Sequence, residues 1–464
     1  MQRQQLQFLK RWLLNKNRKP LIIRGARQVG KSTLVELFSE QQQRTLLTAN
    51  LERYPELADT FASNDPEQIL QQIEALPRMP TVNRQALLFL DEIQAAPEAI
   101  PSLRYFYEDR PQLPVVCAGS LLEFILSGHK FSMPVGRVQY LHMGPMTFTE
   151  FLLALGEERL HSVVAEYLPG DEIGAIVHKR LLQLLRSYYF VGGMPEAVAA
   201  FAESRSYQPV SDIHNSIIET YREDFPKYGG TRDLNRMLNV FNFAARNVGI
   251  KVKYSNILRQ EQSATLKKDL ELLCMARVIA RVIHSHCSGL PLQANLEEKV
   301  YKLLFLDVGL MNAICGLNWR TMSQLDEMRL VNEGAIAEQF IGQHLQALLA
   351  ESPNRELTYW LREGRSANAE LDYVIALEGN IIPIEVKAGA TGSLKSLHQF
   401  MGEKSAPLAV RFDASEPNVS TVNAVINTGN QRKEVNYRLI SLPLYLVERL
   451  GAVVSGLENQ GVSG

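Results

Sequence analysis

Gly25-Ala26-Arg27-Gln28-Val29-Gly30-Lys31-Ser32 fits the pattern G-x-x-x-x-G-K-[ST]. The four residues before it, Pro20-Leu21-Ile22-Ile23, are a short apolar run that reads as a buried strand. After it, Thr33-Leu34-Val35-Glu36-Leu37-Phe38 reads as a helix with Leu34, Leu37 and Phe38 on its apolar face. Strand, glycine loop and helix are the context a phosphate-binding loop requires. Two glycines let backbone N–H groups turn inward around phosphate oxygens, and the helix start adds its partial positive charge. On this reading residues Gly25 to Thr33 cradle the phosphates of ATP. Lys31 reaches the β- and γ-phosphates, and the Ser32 hydroxyl helps hold Mg²⁺.

Working outward, Ala86-Leu87-Leu88-Phe89-Leu90-Asp91-Glu92 is a continuous apolar run ending in two acids. Unbroken apolarity marks a strand buried on both faces, as in a parallel sheet covered by helices. The acids fall at its C-terminal end, the edge where open α/β sheets bind ligands. Asp91 is expected in the Mg²⁺ shell, and Glu92 as the base that orients and deprotonates the attacking water. Pro114-Val115-Val116-Cys117-Ala118-Gly119-Ser120 reads as the neighbouring strand, with Ser120 placed to contact the γ-phosphate or that water.

Bulk properties restrict the class of protein. The chain has 464 residues, which predicts several domains. Apolar residues are 46% and charged ones 21%, the make-up of an ordinary globular protein. The net charge of -1 announces no nucleic-acid partner, so any basic surface has to be local. Cys117, Cys274, Cys287 and Cys315 are scattered, which argues for a reducing compartment, a cytoplasmic protein and no structural zinc. No apolar run reaches the length of a membrane span. Leu6, Leu9 and Leu13 at helical spacing predict an amphipathic N-terminal helix. Arg3, Lys10, Arg11, Lys16, Arg18 and Lys19 make a basic stretch read as a solvated face, with a membrane-surface or nucleic-acid role as the alternative.

Phosphate loop, Asp-Glu strand and polar strand end together resemble the AAA-type ATPases. The closer resemblance is to bacterial and archaeal AAA ATPases that carry a C-terminal domain of unknown function. It is carried by Arg27-Gln28-Val29-Gly30-Lys31-Ser32, Leu90-Asp91-Glu92-Ile93-Gln94 and Ala118-Gly119-Ser120. Gly136-Arg137-Val138, Pro145 to Phe151 and Gly192-Gly193-Met194-Pro195-Glu196 extend it. Hydrolysis needs a positive charge on the γ-phosphate, often an arginine from a neighbouring subunit. Arg137 and Arg104 are the candidates for that finger, with a surface salt bridge as the alternative for each. A finger supplied in trans implies a homo-oligomer.

The resulting expectation is an α/β chain of four segments: an ATPase core of parallel strands over 1–147, a helical lid over 148–232, a winged helix-turn-helix over 233–329 and a restriction-endonuclease-like domain over 330–464. The third segment rests on helices around Phe241, Tyr254 and Ser263–Leu273, followed by strands at Val278–Ile283 and Val300–Leu306. A winged helix binds DNA or packs against neighbours, and the pattern does not choose. His284-Ser285-His286-Cys287 reads as a strand end and not as a metal site.

In the last segment a helix from Glu333, strands at Leu357–Leu361, Glu370–Ile375 and Ile381–Lys387, a helix near Leu394–Met401 and a strand at Leu408–Phe412 follow one another. That order resembles the restriction-endonuclease-like fold, and Asp372 with Glu385-x-Lys387 matches its D…E-x-K motif. Glu338 matches the frequent extra acid of the first helix. Asp372, Glu385 and Glu338 are thus the expected Mg²⁺ ligands. Glu385 and Lys387 share a strand face, which lets the Lys387 ammonium activate water and stabilise a developing phosphorane. The combined expectation is an ATPase coupled to binding or processing of DNA, branched or otherwise structured, with metal-dependent phosphodiester cleavage in view. The alternative is an ATP-driven signalling or assembly switch whose last two segments only bind partners.

Overall fold

The computed structural model describes residues 1–120, 122–124, 134–229, 234–324, 333–352, 355–362, 369–389, 392–404, 406–428 and 431–461. It divides into two compact units, Met1–Pro145 with Met275–Val278, and Met146–Cys274 with Ile279–Gly464. The lid, winged-helix and nuclease-like segments anticipated from sequence therefore share one unit, apart from Met275–Val278. The boundaries expected after 232 and 329 lie outside the described residues.

The first unit is built on five strands, β1 (Leu21–Arg24), β2 (Thr45–Asn50), β3 (Ala86–Asp91), β4 (Val115–Gly119) and β5 (Gln139–His142), in the order β2-β3-β4-β1-β5. Every pairing is parallel. Leu21–Ile23, Ala86–Leu90 and Val115–Ala118 are all buried, as unbroken apolar runs between two helical layers require. Because all strands run one way, Arg24, Asp91 and Gly119 end at a single edge. That edge carries the loops where a ligand binds in such sheets.

The N-terminal helix, Gln5–Leu14, buries Leu6, Leu9, Trp12 and Leu13 as expected. Arg3 departs from expectation. It is not on a solvated face: its guanidinium is buried and donates to the Val29 carbonyl at 2.9 Å and the Gly144 carbonyl at 2.8 Å. A residue of the helix entry thus braces the glycine loop.

The second unit combines helices with an eight-stranded sheet. Its strands are β6 (Ile279–Ser285), β7 (Leu296–Phe305), β8 (Leu357–Leu361), β9 (Glu370–Leu377), β10 (Asn380–Val386), β11 (Leu408–Asp413), β12 (Asn418–Thr428) and β13 (Gln431–Pro443). The order is β12-β13-β11-β10-β9-β8-β6-β7. Three helices at Leu234–Arg246, Tyr254–Ile257 and Ser263–Met275 do precede a two-stranded ribbon, β6 and β7. That ribbon is not a free-standing wing. Val282–His284 pair in parallel with Leu357–Tyr359, so it forms the edge of the large sheet. Hydrogen-bonding capacity along β6 is what sequence periodicity does not report.

Thr147 and Glu150 form a reciprocal capping box that starts the helix Phe148–Ala154. Gly192 (φ 68°) closes the helix Ala175–Val191, and the Gly193 N–H donates to Asp307 Oδ2 at 2.6 Å. A Cβ on Gly193 would lie 2.1 Å from the Met146 carbonyl oxygen, so this double glycine is a packing turn.

Burial pulls the pKa of His214 down to about 4 while its Nε2 donates to the Val191 carbonyl at 3.0 Å. The unfolded chain then binds the proton first as pH falls. Stability of this unit is expected to be lost between about pH 6.5 and 4, by up to about 3 kcal/mol. Urea titrations of the native chain and of His214→Gln across that range check it. The variant should show a flatter pH dependence; an equally steep one rules the histidine out.

Candidate functional site

The glycine loop joins β1 to the helix Lys31–Gln41. Gln28 (φ 62°) and Gly30 (φ 88°) both adopt the left-handed conformation, which turns the loop back on itself. Gly30 precedes the helix and offers no capping side chain, so the first helical N–H groups are left to an anion. Gly25 is required for a different reason: a Cβ there would sit 2.2 Å from the Met143 carbonyl oxygen. Lys31 Nζ donates to the Ala26 carbonyl at 2.8 Å and the Gly25 carbonyl at 3.2 Å. Its pKa is pulled down to about 8 by burial, against the opposing pull of Glu92 and Asp91. A phosphate in the loop would restore its charge.

Asp91 closes the site. Ser32 Oγ lies 3.1 and 3.0 Å from its two carboxylate oxygens, and burial raises its pKa while that hydroxyl counteracts. Serine hydroxyl beside a strand-end carboxylate is a hard-oxygen donor set of the kind Mg²⁺ uses together with phosphate oxygens. Glu92 follows in the left-handed conformation (φ 52°), sparsely populated by residues with a Cβ. Gln94 Nε2 donates to Glu92 Oε2, and Gln94 itself lies over Gly119, whose Cβ would stand 2.4 Å from its side-chain oxygen. Ser120 Oγ is buried with no hydrogen-bond partner. β3 and β4 are direct neighbours, so Ser120 ends the strand beside the one that carries Asp91. Lys31, Ser32, Asp91, Glu92 and Ser120, the residues expected from sequence, all stand in the loops and strand ends at this edge of the sheet. Gln94 and Arg3 also contact this edge, Gln94 from within the Leu90–Gln94 stretch and Arg3 from a helix entry that no local motif marks.

Arg137 and Arg104 meet on one acid. Arg137 Nε donates to Glu108 at 3.0 Å and Arg104 Nε at 3.1 Å, and these arginines hold the Glu108 carboxyl below its ordinary pKa. Both line a surface depression of about 410 Å³ with Asn64, Pro101, Tyr105, Pro134 and Val135.

The second constellation lies in the eight-stranded sheet. Asp372 on β9 and Glu385 on β10 occupy facing positions one step beyond the Tyr373–Ile384 pair. Asp372 Oδ2 accepts from the Val386 N–H at 2.7 Å. Lys387 Nζ donates to Glu385 Oε1, while Glu385 Oε2 is buried with no partner. That orphaned oxygen beside Asp372 fits a divalent cation. Burial and the Asp372 charge raise Glu385 to a pKa of about 7. Glu338, on the helix Glu333–Leu348, is raised to about 7 by burial against the pull of Lys302.

One residue with no role in the expected site lies against these acids. Lys302 on β7 is 2% exposed and lies 3.1 Å from Glu338 and 2.6 Å from Glu370. Its ammonium also sits 5.0 Å from the Tyr359 ring centroid. A lysine inside the apolar run Tyr301–Phe305 was the available signal, since lysine is almost never fully buried unless paired.

His284, His286 and Glu297 bring ligand atoms within 4.8 Å of one another. His284 Nδ1 accepts the Leu361 N–H at 3.3 Å, which leaves the ring proton on Nε2. A metal-bound imidazole instead donates its second nitrogen. This group therefore keeps its reading as a strand end.

An all-parallel sheet with a glycine loop after β1, acids at the end of β3 and a polar residue after β4 has the layout of an AAA-type P-loop fold. Residues 17–152 match a sequence family described as an AAA domain. Residues 182–321 and 333–446 match two families described as domains of unknown function, DUF8612 and DUF4143. No curated protein matches the chain. Among solved structures, the Thermotoga maritima RuvB Holliday junction branch migration motor is 17% identical, with 60% of this chain and 87% of that one covered at a TM-score of 0.27. Caenorhabditis elegans PCH-2 is 10% identical at a TM-score of 0.23. Its alignment covers 37% of this chain and about half, 49%, of that one. No helix among the described residues is long and apolar enough to cross a membrane.

Proposed function

We propose that the chain binds and hydrolyses ATP with Mg²⁺ and couples this to binding or processing of DNA. The observation that carries the first half is the Lys31–Ser32–Asp91–Glu92 cluster at one edge of the parallel sheet. Lys31 and the loop N–H groups bind the phosphates, Ser32 and Asp91 hold the metal, Glu92 takes a proton from water, and Ser120 orients the γ-phosphate or that water. Mg²⁺ supplies charge neutralisation at the transferring phosphoryl group.

Calorimetry with ATP tests this directly. Native protein should bind, and Lys31→Ala should weaken binding by about 100-fold or more, consistent with losing a desolvated charge pair to phosphate. No heat of binding in the native chain would end the proposal.

Arg137 is proposed as the finger that acts on ATP held by a second copy of the chain, with Arg104 as its companion on Glu108. Because the residue acts at the transition state, Arg137→Ala is expected to lower turnover by about 10³-fold with ATP affinity retained. Normal turnover in both Arg137→Ala and Arg104→Ala withdraws the assignment, and with it the argument for a homo-oligomer.

For the second unit, Asp372 and Glu385 are proposed to hold Mg²⁺ against a phosphodiester oxygen, with Lys387 beside the attacking water and Glu338 as an additional acid. The partner is then DNA. A rival reading is a switch that binds partners without cutting. It is favoured by one observation: the acids of this site already hold internal cations.

A further inference from the structure

The second site contains four carboxylates, Glu338, Glu370, Asp372 and Glu385, and two ammonium groups, Lys302 and Lys387. Lys302 is divided between Glu338 and Glu370, and Lys387 faces Glu385. Asp372 is satisfied through a backbone N–H, and one oxygen of Glu385 has no partner. With all four acids ionised the six groups sum to minus two, one charge remaining on Glu338 and Glu370 around Lys302 and one on Asp372 and Glu385 beside Lys387, where the unpartnered oxygen lies. One divalent ion balances that sum, and a second would leave an excess of positive charge in a buried site, which is costly.

Glu338 is separately constrained. Its Oε2 lies 2.2 Å from where a Cβ on Gly249 would be, so its carboxylate is seated against a bare backbone, and its other oxygen meets Lys302. Tyr373 donates to the Glu338 carbonyl at 2.8 Å, and a Cβ on Gly342 would lie 2.4 Å from that same hydroxyl. The helix is held close to the sheet, and Glu338 is held on Lys302.

We infer that Lys302 is a built-in cation of this site, so that the site takes one divalent ion on Asp372 and Glu385 while Glu338 serves as the partner of Lys302 and not as a metal ligand. This rests on the metal reading proposed above and refines it, assigning Glu338 a different task.

Mn²⁺ binding to the full chain without nucleotide, followed by calorimetry and by the electron paramagnetic resonance of free Mn²⁺, tests it. Asp372→Asn identifies which ion belongs here, separately from any ion at Ser32 and Asp91, by weakening it about 100-fold. Glu338→Gln is expected to keep that ion within about threefold, since the amide removes no ligand. Lys302→Met leaves Glu338 and Glu370 without their cation and is expected to lose thermal stability, and any second Mn²⁺ it takes up is expected to bind more weakly than the first and to be lost when Glu338→Gln is added. If that variant does not fold, the comparison of Glu338→Gln with Asp372→Asn decides. Loss of the ion in Glu338→Gln as complete as in Asp372→Asn overturns this inference and leaves the metal reading standing. Absence of any Asp372-dependent ion in the native chain and in Lys302→Met overturns the metal reading and this inference with it.

Discussion

Glu92→Gln is expected to cut ATP turnover by about 10²- to 10⁴-fold and to leave ATP binding within about threefold of native. The substitution is nearly isosteric, and an amide at 92 keeps an oxygen to accept from Gln94 Nε2. The strained left-handed backbone of Glu92 is unchanged, so what disappears is basicity alone. An interaction made only in the transition state lowers turnover without changing the ground-state complex. Phosphate release under saturating ATP and calorimetric titration of the same preparation separate the two quantities. Turnover within about tenfold of native would remove Glu92 from the role of base. A parallel loss of affinity would show instead that the residue organises the nucleotide pocket.

Asp372→Asn is expected to abolish Mg²⁺- or Mn²⁺-dependent cleavage of DNA, a loss of about 10³-fold or more, with ATP turnover unchanged. The two sites lie in different compact units, and Asp372 meets Glu385 and the Val386 N–H within its own. Lys387→Ala should lose cleavage comparably and retain the metal, because the lysine contributes charge at the attacking water rather than a ligand. Branched, nicked and linear DNA, each incubated with either metal, are the substrates to compare. An ATP-competent native preparation that cuts none of them retires cleavage. Function in the cell that depends on Lys31 and is indifferent to Asp372 and Lys387 would then favour the switch.

How much was legible in advance differs between the two sites. The loop from Gly25 to Ser32 is a local device: its conformation depends on two glycines and its chemistry on adjacent residues, so eight consecutive letters specify it. Asp91 and Ser120 were legible for a related reason. Each ends an unbroken apolar run, and parallel strands place all such ends at one edge. Asp372, Glu385 and Lys387 were singled out by resemblance to the D…E-x-K motif, and period-two alternation added only that Glu385 and Lys387 share a strand face.

Lys302 escaped because nothing in its neighbourhood refers to Glu338, 36 residues on, or to Glu370, farther still. The β6–β8 pairing, which joins the ribbon to the large sheet, and the Gln339 side chain bonded to the Phe305 backbone bring β7 to that acid cluster. The same pairing turned an expected free wing into a sheet edge. Arg3 is a parallel case: basic composition predicted a solvated side chain, while the fold placed its guanidinium on the Val29 carbonyl.

By itself, the sequence determined the phosphate loop, the strand-end acids and the order of elements, because each is set by residues within a few positions of one another and by the periodicity of one strand or helix. Tertiary structure alone decided which carboxylates Lys302 faces, which carbonyls Arg3 reaches, and where the ribbon pairs. Those outcomes depend on contacts between segments distant in the chain. Their energies come from desolvation and hydrogen bonding at the meeting point, which no local pattern encodes.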